Sequence, residues 1–166
     1  MRQIEGVLDF AIYVGSVVGL ALSTILALYG ISIFPTPVTG IFAILSKWDL
    51  LALFPVGFVF VFRYNSLTRD LTPREVERNR YLGCPSWMSQ VAYWSMGIGA
   101  VLFFIPIVFE TLGYIPKGNY SAFGTESPST LVGGFGLIAY SSIFAQLYSL
   151  KALTTHPIQP PVKNSG

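Results

Sequence analysis

Three long runs without a charged side chain dominate the chain: Asp, Glu, Lys and Arg are absent from residues 10–46, 82–109 and 127–150. Crossing a hydrocarbon core takes about 20 apolar residues, so runs of this length read as membrane spans and not as buried core helices. The pattern predicts an all-α integral membrane protein with four transmembrane helices, over about 7–34, 48–64, 86–112 and 131–153. They form one domain over residues 1–153, and a proline-bearing flexible cytoplasmic tail follows at 154–166. The first run is longer than the core of a signal peptide, and no small-residue cleavage site closes it, so it is expected to be retained. Pro35 and Pro37 end it, because proline removes a helical donor and pushes its predecessor out of the helical region.

Residues 38–47 are apolar but too short to cross. They read as an interfacial or re-entrant piece on the outer side, with Lys47 and Asp49 flanking Trp48 as an interface anchor at the start of the second span. The alternative is one continuous helix that buries Lys47 and Asp49, an arrangement that costs several kcal/mol unless both line a polar cavity. Pro55 and Gly57 interrupt the second span, and Pro106 is expected to kink the third.

Charge then orients the helices. Arg63, Arg69, Arg74, Arg78 and Arg80 sit between the second and third spans with Asp70, Glu75 and Glu77 among them. Together with Arg2, Lys151 and Lys163 they place eight of the ten cations on one side, leaving Lys47 and Lys117 on the other. Short cation-rich loops stay cytoplasmic, which predicts both termini inside. The short loops, and a first span retained without a cleavable presequence, fit a bacterial inner membrane better than an organelle. Thr72-Pro73-Arg74-Glu75 has the form of a capping box, so a short cytoplasmic helix is expected over 73–82, closed by Gly83. This segment reads first as a solvated connector. Its second reading is a basic patch of Arg69, Arg74, Arg78 and Arg80 for a partner or anionic lipid. Interleaved acids argue against nucleic acid. Outside, Asn119-Tyr120-Ser121 matches the glycosylation pattern.

Small residues mark where helices can approach. Gly15, Gly19, Ser23 and Ala27 recur every four positions in the first span; Ser141, Ala145 and Ser149 do so in the fourth. The two stripes are expected to pack against one another or against another subunit or copy of the chain.

Composition adds exclusions. Charged residues make up 11% of the 166 and hydrophobic ones 52%, against about 25% charged in a soluble domain. The single cysteine, Cys84, rules out an internal disulfide or a CxxC site, and the single histidine, His156, leaves too few ligands for a zinc or bis-histidine haem centre. No cofactor or metal is expected, and no nucleophile elbow, P-loop, HExxH or dinucleotide motif is present. The leading expectation is a non-catalytic subunit or assembly factor of a larger membrane complex. Its partners would be the lipid bilayer and other membrane subunits or a second copy. A transporter or channel component is the alternative, with Asp9, Asp49 and Glu110 converging on a polar path. An enzyme acting on lipid or quinone is the third. In the first reading, Asp9 and Glu110 are interface residues at opposite mouths of the bundle.

Overall fold

The computed structural model describes residues 2–34, 40–69, 71–72, 86–114 and 129–155. They form four helices: α1 (Arg2–Ile33), α2 (Ile41–Thr68), α3 (Ser86–Thr111) and α4 (Ser129–Thr155). Each contains a stretch long and apolar enough to cross a membrane, and no strand occurs among the described residues. The expected cytoplasmic helix at 73–82, with Arg74, Arg78 and Arg80, lies outside the described residues, as do Asn119 and residues 156–166 of the tail, whose first two residues belong to α4.

The second helix departs most from expectation. It begins at Ile41, not near Trp48, and runs unbroken through Pro55 for 28 residues. Pro55 lies on the exposed side, where the carbonyl it leaves unpaired does not disturb a helix contact. A Schellman turn closes α3. Gly113 has φ 79°, its N–H donates to Glu110 O at 3.0 Å, and Tyr114 N–H donates to Phe109 O at 2.9 Å. The Phe109 and Tyr114 rings meet at 5.6 Å, the apolar contact that accompanies this cap.

Helix α4 is the hub, packing against all three others, while α1 also packs against α2 and α3 leans principally on α4. Two thirds of its apolar window is buried (67%), against 11% for α2. Its composition makes this possible. A Cβ at Gly133 would stand 2.6 Å from the Ala27 backbone N, and one at Gly134 would stand 2.6 Å from Gly99 O. At Gly136 the added carbon would collide with the Ser23 hydroxyl. The chain therefore brings α4 against α1 on one face and against α3 on the other, at distances only glycine permits.

Contacts along α1 and α4 keep one register: Ala27 with Gly133, Ser23 with Gly136, Gly19 with Tyr140, and Asp9 with Lys151. Numbers rise on one helix as they fall on the other, so the pair is antiparallel. The stripe of α1 thus meets Gly133, Gly136 and the Tyr140 ring. Gly15 faces Val56 of α2. Ser141, Ala145 and Ser149 are all buried, and Ala145 lines a groove with Ala92, Tyr93 and Met96 of α3.

Replacing Gly134 with Val should lower bundle stability by about 1–3 kcal/mol, the usual scale of overpacking. Gly97→Ala, where nothing lies within 4 Å of the added carbon, should leave the unfolding temperature in detergent unchanged.

Candidate functional site

Two polar rungs cross the interior of α1, α2 and α4. The first joins Asp9 of α1 to Arg63 of α2 and Lys151 of α4. Arg63 Nε donates to Asp9 Oδ1 at 2.7 Å and Nη2 reaches Oδ2 at 3.4 Å. Lys151 Nζ lies 3.0 Å from Oδ2. The Asp9 and Arg63 side chains are 4% and 8% exposed, whereas Lys151 keeps 40% and extends its ammonium 5.6 Å from the Tyr13 ring centroid. Both carboxylate oxygens are thus engaged by cations from two other helices, so the group is a tie between helices and is poorly placed to serve as a base.

The second rung is built on Asp49 of α2. Ser23 Oγ donates to Asp49 Oδ2 at 2.9 Å, and Tyr140 OH donates to the Asp49 backbone carbonyl at 2.9 Å. Gly19 leaves the space that the Tyr140 ring fills, and Gly136 leaves the space for the Ser23 hydroxyl. Asp49 is 1% exposed, and its Oδ1 has no hydrogen-bond partner.

The rungs share one geometric logic. Asp9 and Ser23 are fourteen residues apart on α1, and so are Asp49 and Arg63 on α2. Fourteen residues are two heptads, which return a side chain to nearly the same face of a packed helix, about 21 Å further along the axis. Between the rungs Ile12 of α1, Phe60 of α2, and Ile143 and Leu147 of α4 form a buried apolar cluster.

Three expectations are corrected by this arrangement. Asp49 is not an interface anchor. It lies inside the bundle because α2 begins a full two turns before it, whereas Lys47 and Trp48 remain exposed. Arg63 does not belong to a solvated island; it is sunk against Asp9, which is itself only 2% exposed. Finally, the three acids do not converge. Glu110 is half-buried in the last turn of α3, and the apolar cluster separates Asp9 from Asp49. Arg69 stands exposed just beyond α2.

A third feature lies on the surface. A groove of about 460 Å³ runs between α3 and α4, and within its mostly apolar walls Ser89, Gln90, Ser142 and Gln146 are polar. Gln146 donates to Ser142 Oγ at 2.8 Å, while Gln90 is exposed. Tyr140 and the groove glutamines were not singled out from the sequence. Their only signal was a polar atom inside a run without charges. Among the described residues no three of His, Cys, Asp and Glu gather where they could hold a metal ion. The chain matches no protein-family model, and no curated protein or solved structure shows significant similarity to it.

Asp9→Asn should destabilise the bundle, because it removes the carboxylate charge that ties α1 to Arg63 of α2 and to Lys151 of α4. Lys151→Met should cost clearly less, given the exposure of the ammonium. Chemical denaturation in detergent micelles reads both, and equal losses would show that Arg63 does not carry the tie.

Proposed function

We propose that this chain is a non-catalytic four-span membrane protein that serves as a subunit or stabilising factor of a larger membrane complex. The observation that carries the reading is the α3–α4 groove. Side-chain amides and hydroxyls facing outward within an apolar span find no partner in lipid, but they hydrogen-bond readily to a polar residue on a neighbouring helix. Ser89 already donates to Ser86 O and Gln146 to Ser142 Oγ, so the exposed Gln90 amide and the remaining capacity of the Gln146 amide would then seat a helix of another subunit. The Asp9 tie supports the same role, since it locks helices together and offers no open reactive group.

The orientation we propose puts the Asp9 end of the bundle in the cytoplasm of a bacterial cell, with both termini there. The support is the distribution of cations along the sequence. The connection between α2 and α3 would then face inside, with the basic residues Arg69, Arg74, Arg78 and Arg80 near the lipid headgroups.

Purification of the tagged full-length chain in a mild detergent, with mass spectrometry of whatever co-migrates, should find a membrane protein at fixed stoichiometry. Gln90→Leu with Gln146→Leu should lose that protein while keeping the unfolding temperature. A lone monomer, or an unaffected partner, would count against the groove reading. Orientation is tested separately through Cys84, the only cysteine. A membrane-impermeant maleimide should modify it in inverted vesicles and spare it in right-side-out ones.

A further inference from the structure

We propose that Asp49, Ser23 and Tyr140 form a sealed proton-binding site, in which the Asp49 side chain is a carboxylic acid carrying its hydrogen on Oδ1. The comparison with Asp9 makes the argument. An ionised carboxylate offers about four lone-pair sites. Asp9 fills its own with three N–H contacts from two cations. Asp49 receives one hydroxyl on Oδ2 and nothing on Oδ1. An anion left so poorly compensated in an apolar interior is strongly disfavoured relative to its neutral form.

Among the described residues no cation is paired with the Asp49 carboxyl. On α1 the residue facing Asp49 is Ser23, and on α4 the residues are Gly136 and Tyr140. Tyr140 is the only titratable group among them, and its hydroxyl donates to the Asp49 backbone carbonyl at 2.9 Å. Lys47, on the same helix, is exposed. Arg63 is about 21 Å away along α2, from the helical rise over fourteen residues. Two other buried hydroxyls, Ser16 and Thr130, also lack partners, but a hydroxyl has no charge to desolvate.

The proton is the one occupant that fits. Oδ1 is closed to solvent, and the oxygens gathered here are too few to replace the six-oxygen shell of a hard cation. Binding forms one O–H bond on Oδ1 from the carboxylate and a proton of the medium, and nothing leaves. Because Ser23 and Tyr140 close the site from α1 and α4, the proton can exchange only when the seam between these helices and α2 parts. The site therefore couples proton occupancy to closure of the seam.

Infrared spectroscopy of the full-length protein in phosphatidylcholine vesicles at neutral pH tests this. The expected spectrum has a protonated-carboxyl C=O band that exchanges slowly in D2O. The band should disappear in Asp49→Asn and move to higher wavenumber in Ser23→Ala, where the carbonyl loses its donor. A spectrum without the band, or a band unchanged in Asp49→Asn, overturns the proposal. Should Asp49→Asn fail to fold, solid-state NMR of wild-type protein with carbon-13-labelled aspartate decides. A sequentially assigned Asp49 Cγ shift of the acid type supports the site, and one of the carboxylate type overturns it.

Discussion

Close approach of α1 and α4 is the constraint on which the rest of the bundle depends. With a Cβ at Gly133 or Gly136 the helices could not reach their observed separation, and the consequences would extend along the whole seam. Ser23 would move away from Asp49, Tyr140 would no longer lie over Gly19, and Lys151 would withdraw from Asp9. Both polar rungs are therefore products of backbone proximity, which small residues create and charged residues then exploit.

The two rungs show how one residue type takes two roles by environment. Asp9 and Asp49 are both almost fully buried, yet one is held by an Arg and a Lys and the other by two neutral hydroxyls, Ser23 on its carboxyl and Tyr140 on its backbone carbonyl. In the first, one carboxylate answers two cations, so the three helices share a single charged contact. The second has no charge partner to lose. Between them Ile12, Phe60, Ile143 and Leu147 exclude water, so the rungs act as separate fastenings on one seam.

Much of the architecture was legible in the sequence because helix period and charge-free length are local properties. The four helices and the small stripe of α1 follow from them, and Gly15, Gly19, Ser23 and Ala27 do lie where helices meet. What stayed hidden is pairing. The start of α2 could not be read because residues 38–47 are equally apolar in either arrangement, and the missing fact was that α1 supplies Ser23 for Asp49. Arg63 looked like the first cation of a solvated loop because nothing local marks it as Asp9's partner. The fourteen-residue spacing shared by the two pairs becomes visible only once α1 and α2 are known to be antiparallel neighbours. Similarly, nothing in the spacing of α4 marks Gly133, Gly136 and Tyr140 as residues that meet α1.

The position of α3 follows from the same packing. Gly99 and Gly134 let it approach α4 closely at one level. Toward the other end Tyr93, Met96 and the groove side chains hold the surfaces apart. A helix fastened mainly to one neighbour keeps most of its circumference available: Trp87, Tyr93, Trp94, Val101 and Phe104 are all exposed. The interior seam of α1, α2 and α4 is closed by charge and hydrogen bonding, whereas the α3 side ends in an open groove with unused amide capacity. The association we propose with another membrane helix would fall at α3, where it would complete a surface without disturbing either polar rung.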